Sequence, residues 1–303
     1  MGDSDLFPEG RLGSTRIAIL TINREELTAV RTRFQFSQND KIAGTPYYGR
    51  RSPGARTFEK VARCATERAN ISANEMVARF IEDFYPEMFL LVGTAGGIGS
   101  QGVKLGDVIT ADYVEYAEFA KVAPGGIFPR KFPRDHPSIS LRENLVSHAL
   151  DDGNWKNTIA AAWPPGGTPP TGQPRATEGN IISSEKIWGD PTNAQQCALF
   201  AFYNKALACE MEACGVARAI CAGRQWIDYN PRYLVIRGIS DLADSPAAEN
   251  DRPLWTQWAA AAAAAFAAAL VDTYLDAPRP TIGKESVNLI NRLIRNLSEL
   301  WRR

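Results

Sequence analysis

FLLVGTAGG occupies residues 89–97, where an apolar run from Phe89 to Val92 stops at five small residues, Gly93 to Gly97. The run is typical of a buried strand. The small residues allow backbone N–H groups to approach a ligand oxygen closely. A tight turn between a strand and a helix uses the same residues, so this loop alone is a weak signal. It matches neither the GxGxxG fingerprint nor a loop ending in Gly-Lys-Ser/Thr.

Other apolar runs also predict buried strands, and segments of helical periodicity separate them. This alternation predicts an α/β fold with a mainly parallel or mixed sheet covered on both faces. The predicted strands are Arg16–Thr21, Asp107–Val114, Ile181–Ser183 and Tyr233–Ile239. The predicted helices are Arg24–Arg33, Phe58–Phe84 with a break near Asn70–Asn74, and Asn193–Arg224 with a break or two.

Three segments rich in proline, glycine or basic residues predict loops: Arg50–Gly54, Ala123–Pro137 and Trp163–Pro174. By contrast, Trp258–Val271 (WAAAAAAAFAAALV) carries no charge. It is shorter than the ~18–20 apolar residues that cross a bilayer, and alanine is only weakly hydrophobic. We therefore expect a buried, closely packed helix at this position.

The composition excludes several classes of site and partner. With 34 basic and 34 acidic side chains, the chain has no overall charge that would attract nucleic acid or an anionic membrane. Only two histidines are present, His136 and His148, which argues against a His-rich metal site or a Ser-His-Asp relay. The five cysteines form no CxxC pair, and the start, Met1–Gly13, has no signal-peptide pattern. We therefore expect a cytoplasmic protein with reduced thiols. We also expect no metal and no cofactor.

Two acidic residues stand in settings that suggest chemistry. Asp241 follows the apolar strand in RGISDLAD (237–244), and the carboxyl ends of strands are where open α/β sheets bind ligands. It is a candidate proton donor, although a helix N-cap uses the same residue type. Glu212 lies in the apolar stretch CEMEACGVA (209–217). If it is buried, a sugar diol would satisfy its carboxylate; otherwise it is an exposed helix residue.

In their order along the chain, these segments resemble the nucleoside phosphorylase/nucleosidase superfamily over about residues 15–275. The resemblance implies one α/β domain with a central mixed β-sheet flanked by helices. An N-terminal extension (1–14) would precede it, and a linker with a C-terminal amphipathic helix (276–303) would follow. The motifs that carry it are Glu25-Glu26, Gly93–Gly97, Leu105-Gly106-Asp107-Val108, Gly179–Trp188, Met211-Glu212-Ala213 and Ile239–Asp244.

The resemblance also implies cleavage of a purine N-glycosidic bond, with a role for each matching acid. Asp241 would protonate the departing base, with Ser240 positioning it. Glu212 would hold the ribose hydroxyls, because a carboxylate can accept both of them. Glu26 would activate the attacking water, although the neighbouring Glu25 leaves the register open by one residue.

Further residues are implied to hold the substrate or the water. Arg237 would hold the attacking water and the glutamate that activates it. The purine would be gripped by the main chain at Ile187 and by the ring of Trp188. The remaining expected contacts with the substrate are Met211, Thr94, Ala95 and Gly96.

The stretch before the glycine loop departs from the phosphorylases of this superfamily, which commonly place an arginine there. Here it is Leu90-Leu91-Val92. Phosphate without an arginine clamp would be poorly held, so we expect water as the nucleophile and hydrolysis as the reaction. The alternatives are a phosphate-dependent phosphorylase and a non-catalytic adenine-nucleotide-binding signalling module.

A basic segment bears on the substrate and its partners. Residues 116–134 resemble part of the nucleosidase-type domains of immune effectors, some of which hydrolyse adenine nucleotides. The candidate phosphate-binding residues are Arg130, Lys131, Arg134, Arg50 and Arg51, unless they form a solvated surface. The expected substrate is a purine nucleoside or nucleotide, with adenine favoured. We also expect a homo-oligomer, with the C-terminal helix packing on its own domain or contacting another chain.

Overall fold

Most of the chain between residues 15 and 276 is described by the structure, a computed structural model. The described ranges are 15–36, 38–42, 45–51, 58–124, 126–131, 136–164, 166–226 and 230–276. The chain divides into two compact units, Met1–Val271 and Asp272–Arg303. The predicted N-terminal extension and C-terminal amphipathic helix lie outside the described residues, so the domain boundaries stay predictions.

Strands and helices alternate along the chain, as the apolar runs predict. The strands are β1 (Ile17–Thr21), β2 (Gln38–Ile42), β3 (Thr45–Arg51), β4 (Phe58–Cys64), β5 (Met88–Gly97), β6 (Val108–Tyr116), β7 (Ala120–Ala123), β8 (Gly126–Pro129), β9 (Ala176–Ser183), β10 (Ala206–Glu210) and β11 (Arg232–Leu242). The α-helices are α1 (Arg24–Phe34), α2 (Ala69–Phe84), α3 (Ile139–Leu141), α4 (Ser147–Asp152), α5 (Ala194–Phe202), α6 (Ala213–Trp226) and α7 (Ala248–Asp276). A π-helical turn, Arg142–Val146, joins α3 to α4.

A nine-stranded mixed sheet in the order β10-β9-β6-β11-β5-β1-β4-β3-β2 forms the centre of the fold. Strand β5 runs parallel to β1 and β11, whereas β6 is antiparallel to β11. Strand β10 also pairs with the far end of β5, through Ala208 with Gly97 and Cys209 with Gly96. This extra pairing closes β5, β11, β6, β9 and β10 into a ring. It brings the ends of β5, β10 and β11 together.

Both faces of the sheet are covered, because the central strands are buried on each side. In β5, Phe89 and Leu91 belong to a core cluster that includes residues of α2 and α6. Met88 and Leu90 alternate with them and are also fully buried. Side chains on alternate positions point to opposite faces of a sheet. The expected α/β fold with a central mixed sheet flanked by helices is therefore confirmed.

The alanine-rich helix α7 is a core element, as predicted from Trp258–Val271. By length and composition it could cross a membrane, with a mean hydropathy of 1.5, but 72% of its apolar window is buried inside the protein. Its backbone lies directly against β11: a Cβ atom added to Gly238 would fall 1.9 Å from the carbonyl oxygen of Ala259. Small residues on both elements allow this approach.

Several predicted elements are wrong in type or extent. Residues 58–64 form strand β4 rather than the start of a helix, because β4 pairs with β1 and β3, and this pairing overrides a helix-like apolar spacing. Helix α2 runs unbroken through Asn70–Asn74. The break predicted within Asn193–Arg224 is strand β10.

Two predicted loops also contain strands. Arg50 and Arg51 end β3, whereas Ser52–Gly54 lie outside the described residues. The basic segment that begins near Ala123 contributes to the hairpin of β7 and β8. In the second segment, Pro124 lies in the turn between the two short strands.

We predict that Gly238→Ala lowers the free energy of unfolding by about 3 kcal/mol, because the added methyl group forces α7 away from β11. Chemical denaturation measures the change. The control is Ala222→Ser, which adds one atom at an exposed position of α6 and should stay within about 0.5 kcal/mol of wild type. A Gly238→Ala protein as stable as wild type would contradict this packing.

Candidate active site

The ends of β5 and β11 lie side by side and carry the motifs that the sequence singled out. Their parallel register pairs Arg237 with Gly93 and Asp241 with Gly96. The register shifts between Ile239 and Asp241, which leaves Ser240 as an extra residue in β11. Such irregularities redirect side chains next to functional sites. The glycine segment thus belongs to β5 rather than to a separate loop.

A cavity of ≈ 410 Å³ opens at these strand ends. Every residue that the sequence proposed as catalytic or substrate-binding lines it, except Arg237, which lies directly behind the wall. Those lining it are Asp241, Glu26, Ser240, Glu212, Met211, Trp188, Ile187, Thr94, Ala95 and Gly96. The fold therefore brings together residues from segments far apart in the chain.

Glu26 is held at the wall of the cavity by four hydrogen bonds to its carboxylate. Its Oε2 accepts from the backbone of Ile22 at 2.8 Å and of Asn23 at 3.3 Å. Its Oε1 accepts from the Thr94 backbone at 2.8 Å and from the Thr94 hydroxyl at 3.0 Å. Asn23 completes a capping box at the start of α1. Glu26 is buried and its neighbour Glu25 is exposed, although both line the cavity.

Arg237 is fully buried and pairs with two glutamates. Its Nη2 donates to Glu212 Oε2 at 3.0 Å and forms a closer contact with Glu210 Oε2. A Cβ atom added to Gly93 would lie 2.5 Å from Arg237 Nη1 and 2.7 Å from Glu26 Oε1. Position 93 must therefore be glycine for Arg237 and Glu26 to converge behind the cavity wall.

Glu212 lies between β10 and α6, not within a helix as the apolar context suggested. Its Oε1 accepts from the backbone N–H of Ala69 at 3.1 Å. Burial raises the pKa of Glu212 to about 7; the Arg237 charge opposes this shift and the Glu210 carboxylate adds to it. With three carboxylates and one guanidinium, the cluster of Glu26, Glu210, Glu212 and Arg237 has excess negative charge away from water.

Asp241 is buried at the opposite side of this strand end and has partners of its own. Its Oδ1 accepts from the Ser240 hydroxyl at 2.9 Å and from Arg252 Nε at 3.1 Å. Its Oδ2 lies 3.2 Å from Arg252 Nη2. Burial alone would lower the pKa of Arg252, but hydrogen bonds and charges from Asp241 and Glu249 raise it overall. The two-pronged pair fixes the carboxyl plane of Asp241.

An aromatic and aliphatic wall forms another side of the cavity. The indole N–H of Trp188 donates to the Ser184 hydroxyl at 3.1 Å, which fixes its ring. Ile187 is 57% exposed and lies at the cavity surface. Met211 also lines the cavity and is half-buried. These side chains offer a surface against which a flat, apolar ring can pack.

The basic residues proposed from the sequence to bind phosphate do not line the cavity where the structure describes them. Arg50, Arg130 and Lys131 are exposed at other positions. The side chain of Arg51 and the whole of Arg134 lie outside the described part of the chain. Among the described residues, the cations that do line the cavity are Arg68, Lys186 and Arg252.

Sequence reasoning missed four of these contributors: Arg68, Lys186, Arg252 and Glu210. Arg252 lies 11 residues after Asp241, in the first turns of α7. A search for a cation near the candidate acid could have found it. Glu210 is two residues before Glu212, and this pairing was visible in the sequence. No sequence signal marks Arg68, because only the position of α2 brings it to the cavity.

Comparisons with protein families and with known proteins identify the same family. The model of the phosphorylase superfamily matches residues 17–276. A 5′-methylthioadenosine/S-adenosylhomocysteine nucleosidase from Staphylococcus saprophyticus is 26% identical over 55% of this chain and 62% of its own length. ATP nucleosidase Cap17 from Escherichia coli is 27% identical over 58% of this chain and 35% of its own length. The chain thus spans less than two thirds of either relative.

A solved structure shows the same fold. Futalosine hydrolase of Helicobacter pylori superimposes with a TM-score of 0.65, at 20% identity, over 86% of this chain and 98% of that protein. The family match covers the whole sheet, the residues that line the cavity and all the described helices. The protein therefore belongs to the phosphorylase superfamily.

Proposed function

We propose that the protein is an N-ribohydrolase that cleaves the base–ribose bond of a purine nucleoside or nucleotide. The convergence of Asp241, Glu212 and Glu26 on one cavity is the observation that carries this proposal. Cleavage needs a proton for the departing base, polar groups for an oxocarbenium-like ribose, and a nucleophile. The three carboxylates are separately held, so each can serve one of these needs.

Asp241 is the proposed acid for the departing base. It is buried, lines the cavity and is oriented by Ser240 and Arg252. Arg252 stays charged, so the substrate must displace this guanidinium from at least one carboxyl oxygen of Asp241, and that oxygen must take up a proton from water before it can donate one. The purine then takes that place, and its imidazole nitrogen receives the proton. Trp188 and Ile187 hold the base from the side.

Glu212 is the proposed clamp for the ribose hydroxyls. Each of its oxygens already accepts one protein hydrogen bond, from Ala69 or from Arg237. A carboxylate oxygen can accept a second bond, so both retain capacity for a hydroxyl. The two protein donors fix the carboxylate plane before the sugar arrives, which reduces the entropy lost on binding. Met211 packs beside the sugar.

Glu26, with Arg237 behind it, is the proposed site of water activation. Glu26 is preferred to Glu25 because it is buried and hydrogen-bonded to Thr94 at the end of β5. Hydrolysis is preferred to phosphorolysis because Leu90, Leu91 and Val92, the part of β5 that leads to Thr94 and Glu26, are core residues and offer no charge to a phosphate nucleophile at the proposed water site. The names of the relatives, which include methylthioadenosine and ATP nucleosidases, support adenine as the base.

The protein is further proposed to act in the cytoplasm as a homo-oligomer. All five cysteines are free, which suits a reducing compartment. The region of the β7–β8 hairpin exposes large apolar side chains, and exposed apolar patches commonly mark contacts between subunits. They are Phe119, Val122, Ile127 and Phe128.

We predict base release without phosphate. The purified protein is incubated with adenosine, methylthioadenosine, AMP, ATP, inosine and guanosine, with and without phosphate, and chromatography identifies the products. The expected products are free base and ribose, or the matching ribose phosphate, at a rate that phosphate does not change. A strict requirement for phosphate, with ribose 1-phosphate as product, would show a phosphorylase instead.

We predict that Asp241→Asn lowers kcat by about 10²–10⁴-fold, the usual contribution of a positioned acid. The dissociation constant of the substrate should not rise, because the lost interaction with the substrate belongs to the transition state and the Arg252 pair that the substrate must displace is weakened in the variant. Steady-state kinetics and calorimetry measure the two quantities. Asp151→Asn, at an exposed position of α4, is the matched control. Near wild-type turnover of Asp241→Asn would mean that another group donates the proton.

We predict that kcat/KM falls as the pH drops below about 7, the raised pKa of Glu212. A raised pKa keeps the proton on Glu212 up to that pH, and the protonated carboxyl is a poorer acceptor for ribose hydroxyls. Glu212→Gln should lower kcat/KM by about 10–100-fold, as for a lost charge-assisted hydrogen bond, and should remove this acidic limb. The assignment fails if Glu212→Gln keeps the acidic limb unchanged.

A further inference from the structure

The cations that line the cavity differ in whether they already have a carboxylate partner. Lys186 pairs with Glu118, and Arg252 pairs with Asp241 and Glu249. Arg68 is exposed at the cavity wall and makes no ion pair with any residue that the structure describes. Its guanidinium is therefore available to a ligand, whereas the other two charges are already neutralised.

The backbone fixes Arg68 next to Glu212. Arg68 is the extended N-cap residue of α2, with φ −87° and ψ 171°. The following residue, Ala69, has φ 79°, which is unfavourable for a residue with a Cβ atom. Its N–H donates to Glu212 Oε1, and this bond helps to hold the strained turn in place. Arg68 thus stands beside the proposed ribose clamp rather than beside the proposed acid, Asp241.

The charge of the cavity restricts where an anionic group can bind. Six carboxylates line it against three cations, so an anion placed elsewhere in the cavity would be repelled. The lining carboxylates are Glu25, Glu26, Glu210, Glu212, Asp241 and Glu249. Beside Glu212, an unpaired guanidinium has the planar donor geometry that binds phosphate oxygens in pairs.

We propose that Arg68 binds the 5′-phosphate of a purine nucleotide and makes the site selective for nucleotides over nucleosides. This inference rests on the proposed function, because Glu212 marks the ribose there. The 5′ substituent is the part of a nucleotide that projects from the ribose away from the base. With the base at Asp241 and the ribose at Glu212, that substituent reaches the side of the cavity that holds Arg68.

The test compares AMP with adenosine, which differ only in the 5′-phosphate. The ratio of kcat/KM for AMP to kcat/KM for adenosine is measured for wild type, Arg68→Ala and Arg79→Ala. Arg79 lies on the same helix, is exposed and does not line the cavity, so its variant should keep the wild-type ratio. Arg68→Ala should lower the ratio by about 10–100-fold, as for a lost hydrogen bond to a charged group.

Several outcomes would overturn the role of Arg68. An unchanged ratio in Arg68→Ala, an equal loss for both substrates, or a wild-type preference for adenosine would each do so. A double variant, Arg130→Ala with Lys131→Ala, tests the basic residues that follow β8 as an alternative phosphate site. If this variant lowered the ratio and Arg68→Ala did not, phosphate binding would be assigned to Arg130 and Lys131 instead.

A binding measurement separates this inference from the proposed function. In an Asp241→Asn background, calorimetry measures the dissociation constants of AMP and adenosine with and without Arg68→Ala. Selective weakening of AMP binding supports the inference even if wild-type protein released no base, a result that would contradict the proposed function alone. Equal weakening of AMP and adenosine binding would contradict the inference. If wild-type protein released base in that case, the proposed function would still hold.

Discussion

The buried ion cluster around Arg237 is the constraint on which the site depends. A guanidinium removed from water is costly unless carboxylates surround it, and carboxylates so placed are costly without it. Arg237 from β11 meets Glu210 and Glu212 at the end of β10 and packs with Glu26 against Gly93. One interaction thus ties together three strand ends and the starts of α1 and α2. The cavity at the strand ends is lined by the three glutamates of this cluster.

The division of the acids into two groups gives the site its chemical asymmetry. Glu26 and Glu212 share the Arg237 cluster, where burial raises the pKa of Glu212. Asp241 lies apart from them and is held by Ser240 and Arg252. A bond cleavage that needs a proton on one side and an electron-rich water on the other suits such a separation. Arg252 occupies both carboxyl oxygens of Asp241, so in the proposed mechanism the substrate has to compete with Arg252 for Asp241.

Much of this arrangement could be predicted from the sequence, since strand ends and small-residue loops are local patterns. The apolar runs at 89–92 and 233–239 predicted two strands. Asp241 was identified as a site residue because it follows the second run, and Glu212 because it lies in an apolar stretch of sequence. The helix predicted at 58–64 failed because pairing with β1 and β3 decides that segment. Arg68 and Arg252 were not identified from the sequence, because their positions at the cavity depend on where α2 and α7 pack. The candidate phosphate-binding residues were chosen by charge alone, which does not place a side chain at a cavity.

We propose that one cavity holds the base at Asp241 and the ribose at Glu212. A crystal structure of the Asp241→Asn protein with a bound purine substrate tests this directly. We expect a purine ring nitrogen within hydrogen-bonding distance of residue 241 and ribose hydroxyls on the carboxylate of Glu212. A ligand bound outside this cavity, or one with its base at Glu212 and its ribose at residue 241, would contradict this placement of base and ribose.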